Sequence, residues 1–130
     1  MKTKFIFLTL ILLSLYANGQ IIEEQFSRTD TLRGSMNAER DWWDVQKYDI
    51  TIEPDFESKT TIGKNIINYK KVKQDHPPVM QIDLQEPLQI DSIIFNKNKK
   101  LRFTKDGNVW HVQTEPQELN TINKVEIFYL

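Results

Sequence analysis

The chain has no cysteine, two histidines and only four glycines in 130 residues. Each scarcity excludes something. Without cysteine there is no disulfide staple and no lipid-bearing cysteine, so the fold must rest on its apolar core. His76 and His111 stand alone, with no H-E-x-x-H pair, too few ligands for zinc in its usual geometry. No metal and no other cofactor is assigned to this chain. Ser92, Thr104 and Thr114 lack a glycine-rich turn or elbow around them, which leaves no Ser or Thr nucleophile to assign. Charge of one sign is also lacking. The 17 Lys and Arg balance 18 Asp and Glu for a net −1, which excludes the strongly basic face that nucleic-acid binding requires.

Long apolar runs are scarce as well. The one present, Phe5 to Tyr16, is about a dozen residues, short of the roughly 20 needed to span a bilayer. Lys2 and Lys4 precede it, and the small residues Ala17-Asn18-Gly19 follow. This is the pattern of a signal peptide over residues 1–19, cleaved after Gly19. It predicts a secreted or periplasmic protein with no membrane attachment after cleavage. Residues 20–39 read as a polar leader lying along the surface or staying mobile, with one short helical turn near Asn37.

From Arg40 onward the sequence reads as strands separated by turn chemistry. Trp42 and Trp43 lead into a stretch where Tyr48, Ile50 and Ile52 alternate with Lys47, Asp49, Thr51 and Glu53, until Pro54 stops it. A period of two with β-branched and aromatic residues predicts a half-buried strand. The second strand, 58–71, has a broken apolar phase at Ile62, Ile66, Ile67 and Tyr69, which predicts a bulge near Ile66 and Ile67. Further strands follow at 79–84 and 88–95, the latter read as covered on both faces. Asp106-Gly107 predicts a tight hairpin with Phe103 opposite Trp110, Leu101 opposite Val112 and Arg102 opposite His111. A last strand, 124–130, places Val125, Ile127 and Tyr129 on one side. The fold class is all-β, an antiparallel sheet or sandwich over residues 40–130.

Few side chains carry a chemical suggestion. Asp83 and Asp91 lie on neighbouring predicted strands and fit a polar face or a strand-end turn better than an acid–base pair. Lys97, Lys99, Lys100, Arg102 and Lys105 form a basic tip, which reads as protection of an exposed edge. Trp42 and Trp43 read as the plug of a core or domain interface; an aromatic platform for sugar is the alternative. No catalytic, cofactor-binding or metal-binding residue is assigned.

Taken together, Asp44-x-x-x-Tyr48-Asp49-Ile50-x-Ile52, Ile62-Gly63, Gln81-Ile82-Asp83-Leu84, Leu88-x-Ile90-x-Ser92-Ile93, Leu101-x-Phe103 and Val125-x-Ile127-x-Tyr129 resemble the N-terminal saddle-shaped β domain of the aminopeptidase N family of zinc metallopeptidases. The resemblance runs from about Arg40 to the last residue. It implies a domain that braces a separate zinc-bearing catalytic domain of the same polypeptide, with peptide substrates and zinc only in that context. None of that family's catalytic residues has a counterpart here. The expectation is a non-catalytic piece that stops before the catalytic domain, with an unsatisfied apolar edge at Val125–Leu130. The alternative is a stand-alone secreted β-sandwich module for a glycan or protein partner.

Overall fold

The computed structural model describes residues 27–130. Residues 1–19, read from the sequence as a signal peptide, and residues 20–26 lie outside the described residues. The order of elements is α1 (Arg28–Gly34), β1 (Trp43–Asp55), β2 (Thr60–Lys71), β3 (Val79–Asp83), β4 (Ile90–Phe95), β5 (Lys99–Lys100), β6 (Phe103–Asp106), β7 (Val109–Gln113) and β8 (Ile122–Tyr129). The strands form two antiparallel sheets. The large one has the order β1-β2-β8-β4-β5 and the small one β3-β7-β6. The all-β antiparallel class read from the sequence is the one observed.

The core lies between the sheets. Ile67, Tyr69, Ile93, Val125, Ile127 and Tyr129 of the large sheet meet Met80, Ile82, Trp110 and Val112 of the small one, all buried. Each fully buried aliphatic of this kind contributes about 1.5–3 kcal/mol. Trp42 closes one end. It is fully buried, stacks on His76 at 4.1 Å and meets Tyr69 edge-on at 5.9 Å. Its indole N–H donates to the Val79 carbonyl at 3.0 Å, giving the polar atom of a buried tryptophan its partner.

Irregularities in the ladder decide which side chains face this core. The expected bulge at Ile66 and Ile67 is absent: β2 pairs continuously with β8. The bulge is in β1 instead, where Val45 pairs with Tyr69 and Lys47 with Asn68. Gln46 is the extra residue, so Val45 and Tyr48 both turn to the inner face. Ile62 and Ile66 keep their parity and face outward, Ile62 exposed. A second irregularity, between Ile90 and Ser92, brings Ile90, Ile93 and Phe95 to the core together. The sequence pattern had split them between two faces.

The β6–β7 hairpin turns one residue later than expected. Its two-residue turn is Gly107-Asn108, with Gly107 at φ +61°. A glycine with positive φ at the first central position is the II′ arrangement, which fits the twist of the strands. Phe103 therefore faces Val112, Lys105 faces Trp110 and Thr104 faces His111. The pairing slides by two residues, so the predicted faces survive although the predicted partners do not.

Two expectations about the edges are corrected. Val125–Tyr129 is not an open apolar edge: β8 sits in the middle of the large sheet, paired with β2 and β4. The first strand is not half-buried along its length. Tyr48, Ile50 and Ile52 are 52%, 60% and 58% exposed, because β1 runs out past the small sheet that covers its neighbours. No described helix is long and apolar enough to cross a membrane.

Candidate functional site

Where β1 leaves the small sheet, a groove of about 430 Å³ opens between the sheets. Val45, Ile67 and Ile82 give it apolar walls, Tyr48 and Trp43 flank it, and Arg40 and Asp83 stand at its rim. The Arg40 guanidinium is already engaged: it pairs with Asp83 and donates to the carbonyls of Arg33 at 3.1 Å and Leu32 at 3.3 Å. These three bonds hold the leader against β3 and use three of the five guanidinium donors. The atom that is free is Oδ1 of Asn65. It is buried in the groove wall without a hydrogen-bond partner, alone in this among the described residues. An unpaired buried acceptor is costly, about 1–3 kcal/mol, and is rare enough to need a reason.

The leader supplies the other polar contacts near the groove. Ser27 caps α1 in a reciprocal box with Asp30, each side chain accepting from the other's backbone N–H. Arg28 pairs with Asp106 at the tip of β6. Asn37 Nδ2 donates to Gln81 Oε1 at 2.7 Å, and Gln81 Nε2 donates to the Leu32 carbonyl at 3.0 Å. These bonds bury Gln81 on what sequence alone reads as the wet side of β3. The Ser27-x-x-Asp30 spacing signals α1, a helix that the polar composition had concealed. The turn expected near Asn37 is present, with the N–H groups of Arg40 and Asp41 donating to the Asn37 carbonyl.

His111 comes within 2.6 Å of Glu39 through Nδ1, both half-buried. This histidine–carboxylate contact joins strand and leader, and sequence reasoning missed it because Glu39 lies outside the strand pattern. Thr104 is opposite His111 in the ladder, yet among the described residues neither histidine hydrogen-bonds a hydroxyl. His76 is spent in the Trp42 stack and a contact with the Pro77 carbonyl.

The remaining candidates also separate. Asp83 is in the small sheet with Arg40, whereas Asp91 is in the large sheet and accepts from the Ser92 hydroxyl at 2.9 Å. Neighbouring strands in sequence are not neighbours here, and the carboxylate pair is not formed. The basic residues are dispersed. Lys105 Nζ bonds Glu86 at 3.0 Å over the Trp110 ring, and Lys99 approaches Glu115 at 3.5 Å. Lys99 and Lys100 form the two-residue edge strand β5, where lysine discourages further pairing. Trp42 is fully buried and Trp43 half-buried, its indole donating to the Glu39 carbonyl at 3.1 Å. The pair makes a plug, and an aromatic platform is not available.

Electrostatics follow the same structural logic. Hydrogen bonds from Arg28 hold the Asp106 carboxyl below the usual range, as the Ser27 hydroxyl and backbone do for Asp30. Burial pushes the Tyr69 hydroxyl up, although it donates to Gln117 Oε1 at 2.9 Å, so it stays a neutral phenol. Among the described residues no group of three or more His, Asp or Glu side chains is placed to hold a metal.

Comparison with solved structures finds the same fold inside much larger proteins. An M1 zinc metallopeptidase from Deinococcus radiodurans superposes with TM-score 0.53 at 17% identity, over 70% of this chain and 21% of that one. Legionella pneumophila aminopeptidase A, solved with aspartic acid, gives 0.56 at 16% identity, over 76% and 11%. Native leukotriene A4 hydrolase from Saccharomyces cerevisiae gives 0.53 at 14% identity, over 67% and 15%. The chain thus matches about a tenth to a fifth of the length of these proteins. No protein-family model matches the chain, and no curated protein matches it.

Proposed function

We propose that this chain is the non-catalytic N-terminal domain of a secreted zinc aminopeptidase, a scaffold on which the rest of that polypeptide packs. The observation that carries the reading is the fold shared with M1 peptidases, of which the chain spans only a small part. The groove supports it. Tyr48, Ile50 and Ile52 continue the inner face of the large sheet without a cover, and Asn65 Oδ1 beside them lacks a donor. Both needs are met if another segment of protein closes the groove with apolar side chains and one N–H or O–H. The chain's own residues contribute shape and surface. Zinc, the catalytic base and the grip on the substrate's free amine belong to the following domain, and removal of N-terminal residues from peptides is an activity of the full-length protein. In that protein the signal segment directs export.

Reading the gene beyond codon 130 tests this directly. A continuing frame that encodes H-E-x-x-H, and whose product releases amino acids from aminoacyl p-nitroanilides until a chelator is added, is the expected result. The purified 130-residue chain releases none. A frame without that motif would sink the proposal. The sugar-binding alternative has less support, because Trp42 is fully buried and Trp43 is half-buried with its indole N–H donated to the Glu39 carbonyl.

A further inference from the structure

The outer edge of β1 is open. β1 is the terminal strand of the large sheet, and among the described residues no backbone hydrogen bond leaves Lys47–Glu53 on the side away from β2. A long, apolar, unpaired edge strand is a template for another strand, and natural proteins usually blunt one with lysine, proline or a bulge. Here the blunting devices stand only at the two ends. The bulge at Gln46 breaks regular pairing on one side, and Pro54, which has no N–H to donate, breaks it on the other. The regular stretch between them is Lys47-Tyr48-Asp49-Ile50-Thr51-Ile52-Glu53, and its midpoint is Ile50.

We infer that a second copy of this chain pairs antiparallel along this edge, about a two-fold axis at Ile50, joining the two large sheets into one. The chemistry of the stretch is complementary to its own reverse. With Ile50 opposite Ile50, Tyr48 falls opposite Ile52 on the inner face, so three apolar residues per chain meet three. On the outer face Lys47 falls opposite Glu53 twice, once at each end, and Asp49 falls opposite Thr51. Opposite charges and apolar pairs across antiparallel strands are the favourable combinations. A shift of one residue in this register would set apolar against polar faces, and a shift of two would part Lys47 from Glu53. Lys47 now contacts Asp49 at 2.6 Å, but both side chains are well exposed, so exchanging that partner costs little. Two-fold pairing through the same patch on both subunits is the closed form of association, which does not propagate into fibres. The contact is small, so the dimer is weak and depends on concentration. It stands apart from the peptidase reading, since it needs only this edge.

Sedimentation of the purified chain at rising concentration tests it, with circular dichroism to confirm that each variant is folded. The expected result is a monomer–dimer equilibrium. Lys47→Glu, which sets glutamate against Glu53 at both ends, weakens it about tenfold or more. Glu53→Lys does the same by setting lysine against Lys47. An equimolar mixture of the two variants forms a heterodimer, because each end then carries one lysine and one glutamate. The inference is overturned by a chain that stays monomeric up to about 1 mM. Larger aggregates without a dimer, a dimer indifferent to both reversals, or a mixture that fails to associate would overturn it equally.

Discussion

A methyl group added at Gly63 would stand 2.2 Å from the Tyr129 ring carbons Cε2 and Cζ, and 2.5 Å from its hydroxyl. Gly63 pairs directly with Tyr129 in the ladder, and the ring lies across it, buried. Gly63→Ala is expected to cost about 1–3 kcal/mol in chemical denaturation, the usual range for forcing extra volume into a packed site. The same change beside Tyr129→Ala should cost far less, which a double-mutant cycle reads directly. Trp42→Ala removes a buried ring, a stack and a hydrogen bond together. It should cost about 3–5 kcal/mol, a large fraction of the stability of a domain of this size. At this scale the sequence was partly legible. The plugging role of Trp42 follows from a large aromatic set before a strand. The stack with His76 does not, because loop and strand are brought together only by the tertiary fold.

Among the elements, α1 is the one most exposed to solution conditions. Its cap depends on ionised Asp30 and its docking on ionised Asp106, and both carboxyls are held below the usual range in the folded chain. A carboxyl lowered by folding contributes stability above its unfolded pKa, about 3.9 for aspartate. That contribution is lost as pH falls through the lowered folded value. On acidification below about pH 4, α1 should therefore loosen from β6 before the sheets unfold. NMR of the Asp106 and Asp30 carboxyls, with amide exchange in α1, checks this. Asp106→Asn should produce the same detachment at neutral pH, with the sheets intact. The helix was readable in principle from Ser27-x-x-Asp30, but a seven-residue helix offers too little apolar periodicity to announce itself. The hairpin shows a different limit. Glycine marked the turn, yet which of two adjacent dipeptides occupied it depended on Gly107 taking the first central position. Strand faces were legible because a slide of two residues preserves them; partners were not.

For the molecule as a whole, the informative asymmetry is that one sheet is larger than the other. Ile50 and Ile127 lie on the same inner face, two strands apart, opposite the same Asn65, but Ile50 is 60% exposed and Ile127 3%. Ile127→Ala should cost about 2–5 kcal/mol, whereas Ile50→Ala should change the stability of this chain by less than about 0.5 kcal/mol. If a following domain covers the groove, the cost of Ile50→Ala rises in the longer protein, and comparing the two chains measures how much of the face is covered. The sequence gives no warning of the exposure. A strand that alternates apolar and polar residues looks the same whether its apolar side is covered by its own domain or awaits another.

The position of β8 sets the order in which the molecule can be completed. A ribosome delivers β1 and β2, then β4 and β5, and only afterwards the strand that belongs between them. Short-range hairpins such as β1–β2 and β6–β7 can close as they emerge, but β2 and β4 each keep an open edge until Tyr129 is available. Contacts of such long sequence separation form slowly, and removal of Ile122–Tyr129 should leave fragments with no shared cooperative transition. Until β8 has been made, the large sheet therefore exists only as two separate ribbons, and the small sheet has no continuous surface to pack on.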